Sequence, residues 1–406
     1  MKLIVFTNCF PYGNVDTLIE NELGYLIKQF NQVTIVPLHY GGSKKTSKTS
    51  HDIIYTTPLL GYNINHKIRL FFDGLFSVRE ISFFVKELIS KKAYRNKNWF
   101  MSWLSATCVT RALLRKNRIQ SILNKIDEKT ILYFYWGDKS SGLIPFLRKR
   151  ISNPIVVRFH GSDLFEEAKG GYQPFRKDLL KCLSVAVSVS EKGLSYLQDH
   201  YPDIAFNGRF FRLGVNDQGI NKPSNDRVFR ILTCSHSVKV KRVHLLVQAL
   251  KLTNLRIHWT HIGDGPLQQS LMESCRSLPE NITTTFTGWI SSEEIINYYR
   301  GNSVDLFLNV SESEGIPVSI MEALSFGIPV IATNVGGVTE IVNDAVGKLV
   351  TKNIEISDLM AEIETFSKNS DLQELRNEAR KYWHRHYNAE TNYRQFAQFL
   401  HELITK

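Results

Sequence analysis

Short runs of β-branched and aromatic residues recur along this chain, each followed by a stretch with helical periodicity. That alternation limits the fold more than any other feature. In the first half the runs are LIVFTNCF (3–10), QVTIVPL (32–38), TILYFYWG (130–137), PIVVRFHG (154–161) and VAVSVS (185–190). The second half repeats the rhythm with FRILTCS (229–235), RIHWTHIG (256–263), ITTTFTGW (282–289), VDLFLNVS (304–311) and PVIATN (329–334). Continuous apolar runs suit strands buried on both faces, and strands that alternate with helices imply parallel sheets covered by helices. Between the halves, GVNDQGINKPSNDR (214–227) breaks both periodicities and reads as a linker. A chain of 406 residues also exceeds one ordinary core. The predicted architecture is therefore α/β, two doubly wound domains, with ligands at the carboxyl ends of the strands in a cleft between them.

The distribution of charge narrows the partners. Residues 1–215 hold 31 Lys+Arg against 17 Asp+Glu, a net +14, whereas the remainder holds 19 against 22, a net −3. A basic first half calls for something anionic: nucleic acid, a phospholipid surface or a phosphate-bearing substrate. Nucleic acid is disfavoured because no recognition-helix or aromatic-sheet motif accompanies the charge. Residues 66–118 depart from the alternation, being helical by pattern, aromatic and basic (KKAYRNKNWFMSW, 91–103). They read either as an ordinary solvated helical excursion or as a surface lying against anionic lipid. No apolar run reaches about 18 residues, the length a spanning helix needs. No signal-peptide arrangement precedes the strand that begins at Lys2. Cys9, Cys108, Cys182, Cys234 and Cys275 are scattered without metal-ligand spacing. Buried thiols in a reducing cytoplasm are the expectation.

The stretch SEGIPVSIMEA (313–323) carries two carboxylates, Glu314 and Glu322. Glu314 falls in the loop after the strand VDLFLNVS, and Pro317 suits the first helical turn because it has no N–H to leave unpaired. Glu322 lies five residues further, roughly 7–8 Å along a helix axis. That separation argues against a shared proton. The pair reads instead as two acceptors flanking a helix N-terminus whose free N–H groups attract anions. A ligand with hydroxyls at both ends and phosphate in the middle fits: a nucleotide sugar.

On these residues the chain resembles a known family. SESEGIPVSIMEALSFGIPVIATNVGGVTEIV (311–342) is similar to the donor-binding segment of family 4 retaining glycosyltransferases of the GT-B fold. CSHSVKVKRVHLLVQAL (234–250), HIGDGPLQQSL (261–271), FTGWISSEEIINYY (286–299) and RFHGSDLFEE (158–167) match that family's order and spacing. FPYGNVDTLIENEL (10–23) resembles the amino-terminal loop of bacterial polysaccharide and lipopolysaccharide-type members. The resemblance implies two Rossmann-like domains. Residues 1–215 would bind the acceptor and 216–385 the nucleotide sugar, with a helix over 386–406 crossing back to the first domain. The tail 382–404 reads as one long amphipathic helix that helps hinge the cleft.

The resemblance further implies roles by position. Glu322 would bind the ribose hydroxyls and Glu314 the donor sugar, with backbone N–H groups of Gly315, Ile316 and Val318 approaching sugar and phosphate. Lys241 would neutralise the diphosphate leaving group. The family places an arginine where this chain has His236. Either His236 is protonated beside the phosphates, or Lys239, Lys241 or Arg242 supplies the charge. His160 would sit near the reacting centre, and Gly13 would admit the diphosphate close to the backbone, with Asn14 a mild departure from the family's small residues. Gly263 and Gly265 would lie near the nucleoside, and Asp138 and Asp163 near the acceptor. Trp289 reads as core or rim packing more than as a border to the base, and Glu340 as a helix-start residue.

The implied reaction moves a hexose from a UDP- or GDP-sugar to a hydroxyl of a lipid-linked or polysaccharide acceptor with retention. No cofactor and no metal is implied, as no Asp-x-Asp pair is present. The enzyme would be cytoplasmic, peripheral at the inner face of the membrane. Two rivals remain open: a nucleotide-sugar epimerase or hydrolase on the same fold, and a non-catalytic nucleotide-sugar-binding partner subunit.

Overall fold

The computed structural model describes residues 1–13, 17–42, 53–61, 80–224 and 226–405. Its residues fall into two compact units, Met1–Arg212 with Tyr393–Lys406, and Leu213–Asn392. Each unit is a parallel sheet with helices, as the alternation of runs predicts.

The first sheet comprises β1 (Lys2–Thr7), β2 (Gln32–Pro37), β3 (Ile53–Tyr55), β4 (Thr130–Phe134), β5 (Ile155–Phe159), β6 (Val185–Ser188) and β7 (Gly208–Phe210). Their order is β3-β2-β1-β4-β5-β6-β7 and every pairing is parallel. Successive side chains feed opposite faces. Ile4, Phe6, Leu132 and Phe134 enter one core, whereas Leu3, Val5, Ile131 and Tyr133 enter the other. The second of these cores is closed by Phe396, Ala397 and Leu400 of helix Ala389–Thr405. Each such side chain contributes about 1.5–3 kcal/mol by leaving water.

The second sheet comprises β8 (Phe229–Cys234), β9 (Ile257–Ile262), β10 (Ile282–Gly288), β11 (Leu306–Asn309), β12 (Val330–Thr333) and β13 (Gly347–Val350). The order is β10-β9-β8-β11-β12-β13, again parallel throughout. In both sheets the order reverses beside the first strand, between β1 and β4 and between β8 and β11. These switch points are where loops from adjacent strand ends diverge and leave a crevice for ligands.

Three features differ from the sequence-based expectation. The short strands β3, β7 and β13 went unread. The linker 214–227 is not loose: Asn221 is buried, its Nδ2 donating to the carbonyls of Tyr299 and Asn302 at 2.6 Å. The single helix predicted over 382–404 is two, Leu372–His386 and Ala389–Thr405. Asn388 leaves the helical path to pair with Val215, and its Oδ1 caps Thr391 N–H at 3.2 Å. Of the helical stretch 66–118, residues 66–79 lie outside the described residues. The rest forms helices Ile81–Ser90 and Lys97–Leu114, joined by a 3-10 turn, and the start of helix Asn117–Leu123.

Candidate nucleotide-sugar site

Four loops converge at the carboxyl edge of the second sheet, around its switch point. The loop after β8 carries His236 and Lys241, the loop after β9 carries Gly263 and Gly265, and the loop after β11 carries Glu314. The loop after β12 brings Gly336 against the Glu314 segment. Gly336 has φ 50°, and a Cβ there would lie 1.9 Å from the Glu314 carbonyl oxygen, so only glycine fits. Gly337 N–H then donates to the Gly315 carbonyl at 3.0 Å, locking the two loops together.

Within this frame Lys241 Nζ stands 2.5 Å from Glu314 Oε1. The same oxygen accepts from Ser311 Oγ at 2.7 Å and Asn309 Nδ2 at 3.2 Å. Among the described residues no bond reaches Glu314 Oε2. A carboxylate anchored through one oxygen presents the other in a fixed direction.

Helix Val318–Ser325 begins immediately after, with Pro317 as its N-cap rather than inside the first turn. Among the described residues the N–H groups of Gly315, Ile316 and Val318 have no acceptor. They form the electropositive end of a two-turn helix. Glu322 rides on this helix. The residue is half-buried, its carboxylate has no hydrogen-bond partner among the described residues, and desolvation pushes it up to about 7. A desolvated, unpartnered acceptor beside a helix N-terminus is the electrostatic pattern of a binding site.

The loops after β8 and β9 are joined just as closely. A Cβ on Gly263, at φ 143°, would fall 1.9 Å from the Ser235 carbonyl oxygen. Ser237 N–H donates to the Asp264 carbonyl at 3.0 Å, and Leu267 N–H to the Ser237 carbonyl at 2.9 Å. Gly265 likewise packs on Ser237. His236 is exposed, and its Nδ1 lies 3.2 Å from the Asp264 carbonyl, which fixes Nδ1 as a donor because a carbonyl only accepts. Arg242, a candidate to replace the family's arginine, is occupied elsewhere: Nε donates to Val310 O and Nη1 to Lys352 O. Lys239 and Lys241, on one turn, remain as the cations of this loop.

A buried chain beneath the loop escaped sequence reasoning. Trp259 Nε1 donates to Thr233 Oγ1 at 2.9 Å, and Thr233 Oγ1 reaches His261 Nδ1 at 2.8 Å. His261 Nε2 meets Ser237 Oγ at 3.0 Å, and that hydroxyl donates to Gln268 Oε1 at 2.6 Å. Burial lowers His261 to about 4, and in the neutral ring Nε2 donates to Ser237 Oγ while Nδ1 accepts from Thr233 Oγ1. The alternation in RIHWTHIG was its one sequence signal.

In the first unit, His160, Asp163 and Asp138 gather at the ends of β4 and β5. His160 is buried, its ring 4.3 Å from that of Trp136, and Nε2 donates to the Tyr135 carbonyl at 3.2 Å. Burial, then the Arg158 charge, lowers it to about 3, so it is neutral at pH 7. Asp163 is fully buried. Its Oδ1 accepts His160 N–H at 2.6 Å and its Oδ2 accepts Gly137 N–H at 2.5 Å. Burial, then neighbouring Asp138, pushes its carboxyl up to about 7. The structure thus gives Asp163 a positioning task, tying the two loops, and leaves Asp138 as the carboxylate nearer solvent. Gly13, at φ 75°, packs against Gly41, while Asn14 lies outside the described residues. Trp289 is exposed after β10. Glu340 lies in the short helix Val338–Ile341, its carbonyl accepting the Tyr382 and Tyr387 hydroxyls. Among the described residues no group of three or more His, Cys, Asp or Glu is placed to hold a metal.

Residues 216–385 match the family model for glycosyl transferases group 1. The chain is 27% identical over 217 residues to Protein CapJ of Staphylococcus aureus, covering 48% of this chain and 52% of that protein. It is 24% identical over 228 residues to the putative teichuronic acid biosynthesis glycosyltransferase TuaC of Bacillus subtilis (52% and 54% covered). The chain thus spans about half the length of these curated relatives. Among solved structures, Anabaena Alr3699/HepE in complex with UDP aligns with a TM-score of 0.67 and 16% identity, over 98% of this chain and 99% of that one. That likeness establishes a shared two-unit Rossmann-like fold.

Proposed function

With residues 216–385 matching the family model for glycosyl transferases group 1, we propose that the chain is a retaining glycosyltransferase of cell-surface glycan synthesis. It moves a hexose from a UDP- or GDP-sugar to a hydroxyl of a lipid-linked or polysaccharide acceptor. The observation that carries this reading is the arrangement along 314–322. An anchored carboxylate at Glu314, open N–H groups at Gly315, Ile316 and Val318 and the unpartnered Glu322 follow the order of hexose, diphosphate and ribose in a nucleotide sugar. The names of TuaC and HepE, the latter with UDP bound, support it.

In the reaction the bond from the anomeric carbon to the diphosphate oxygen breaks while the acceptor oxygen bonds on the same face. The acceptor's proton passes to the departing diphosphate oxygen. Lys241 and the helix N-terminus stabilise the charge that develops there, a task fixed N–H groups perform without reorganisation. Lys239 supplements Lys241 where the family has an arginine. Lys241 exchanges its contact with Glu314 for the diphosphate, and Glu314 turns to the hexose. His160, neutral, lines the acceptor side through its packing with Trp136.

The acceptor's lipid explains the basic first unit. On helix Ile81–Ser90, Ile81, Val85 and Ile89 recur at four-residue spacing and are 45%, 38% and 60% exposed, with Tyr94 and Met101 exposed beyond them. Lys86, Lys91, Lys92, Arg95 and Lys97 accompany this apolar stripe, the composition of a surface that lies on anionic lipid. No described helix is long and apolar enough to cross a membrane.

The test is to incubate the chain with labelled UDP- and GDP-hexoses and an envelope lipid extract. Label appearing in lipid or polymer with the donor's anomeric configuration supports the proposal. Release of free sugar alone, or inverted product, rejects it.

A further inference from the structure

The turn Lys239–Lys241 is suspended between two anchors. Its far end is held by Arg242, whose guanidinium donates to the Val310 and Lys352 carbonyls at 2.8 and 2.7 Å. Beside it, Glu312 N–H donates to the Val240 carbonyl at 2.7 Å. The near end is Ser237, and there the anchor is an imidazole. His261 on β9 is 0% exposed and Ser237 is 1% exposed, so their 3.0 Å contact is shielded from water. The backbone bonds of Ser237 run to Asp264 and Leu267, which belong to the neighbouring loop. Among the described residues, His261 is the side-chain link from Ser237 down to the sheet.

The imidazole is itself held. Its Nδ1 accepts from Thr233 on β8, and Thr233 accepts from Trp259 Nε1, two residues before His261 on the same strand. With both nitrogens occupied, the ring cannot turn without losing two buried hydrogen bonds. An apolar side chain would fill this interior strand position at lower desolvation cost. A fully paired buried polar chain instead fixes one arrangement of the groups it joins. Here it joins the sheet to the start of the lysine turn. Lys241 follows Ser237 by four residues, its N–H donating to the Val238 carbonyl at 3.0 Å.

We propose that His261 is a positioning residue for sugar transfer: through Ser237 it holds Lys241 where the departing diphosphate needs its charge. Enclosed beneath the loop, it touches no substrate. The inference rests on the glycosyltransferase reading for what Lys241 does, while the anchoring of the loop stands without it.

The experiment separates the two imidazole nitrogens. A glutamine amide reaches as far as Nε2 and can donate to Ser237, whereas an asparagine amide reaches only as far as Nδ1. Wild type, His261→Gln and His261→Asn are compared as full chains, below the melting temperature of the least stable. Hydrogen exchange over residues 235–242, measured without substrate, should be about tenfold faster in His261→Asn and close to wild type in His261→Gln. With UDP- or GDP-hexose and the envelope lipid extract, kcat should fall by about 10–10² in His261→Asn, with little change in donor KM. His261→Gln should recover most of that loss. In a Lys241→Ala background, His261→Asn should cost less than about threefold, because its effect runs through that lysine. Exchange that is unaltered by His261→Asn or raised equally by both variants, or rate losses that multiply in full, overturns the role. No transfer by the wild type from any donor rejects the glycosyltransferase reading, and the exchange result still decides whether His261 holds the loop.

Discussion

Lys241 Nζ and Glu314 Oε1 face each other at 2.5 Å across two loops that leave adjacent strands of one sheet. Seventy-three residues separate them in sequence, so the pairing is a product of strand order, with β8 beside β11. Replacing Lys241 by Ala removes the cation that meets the leaving diphosphate. Turnover should fall by about 10²–10³, as when one preorganised donor is lost from a charge-stabilising site. The donor's KM should move far less. Steady-state kinetics on the purified variant checks the split.

His261 makes stability pH-dependent in a definite direction. Burial holds it at about 4, against about 6.5 in an unfolded chain. Below pH 6.5 the unfolded state takes up a proton that the folded state refuses. Its contribution is therefore intact above pH 6.5 and is lost as pH falls towards 4, by up to about 1.4 kcal/mol per pH unit. Urea denaturation at pH 7.5 and 5.0 should show a smaller drop for His261→Gln than for wild type. An equal drop contradicts the buried neutral chain from Trp259 to Gln268.

Arg158 and Glu22 form an ion pair at 2.5 Å with both side chains fully buried. Arg158 also donates to the Phe211 carbonyl at 3.0 Å and stacks over Phe396, 4.6 Å away. Removing one partner strands the other charge in the core. Arg158→Met should cost about 3–5 kcal/mol in chemical denaturation. Pairing it with Glu22→Leu should recover part of that loss, since no bare charge then remains.

The exposed stripe on helix Ile81–Ser90 predicts membrane partition. The chain should sediment with anionic vesicles at low salt, release as salt rises, and ignore zwitterionic ones. Ile89→Asp should weaken sedimentation without altering the melting temperature, because that side chain is 60% exposed.

Much of the fold was legible because parallel strands buried on both faces leave unbroken apolar runs, as in Thr130–Phe134 and Val330–Thr333. The edge strands Ile53–Tyr55, Gly208–Phe210 and Gly347–Val350 have three or four residues and lack that signal. The break at Asn388 was hidden because it answers a distant partner, Val215, not a local breaker. Glu314, Glu322 and Lys241 were readable from the spacing of strand, loop and helix and from the family motif. The two backbone bonds that bind Asp163 depend on tertiary approach and left no trace in residue spacing.

The central claim is that Glu322 grips the ribose of a nucleotide sugar, and calorimetric titration with UDP- and GDP-hexose tests it most directly. Burial raises the Glu322 carboxyl to about 7, and ribose hydroxyls donate to its ionised form. Affinity for the preferred donor should therefore weaken as pH falls from 8 to 6, by up to about tenfold per unit once below 7. Glu322→Gln should bind more weakly at pH 8 and show no such pH dependence. Saturable binding that is unchanged by Glu322→Gln, or no binding of either sugar nucleotide by the wild type, would contradict the account.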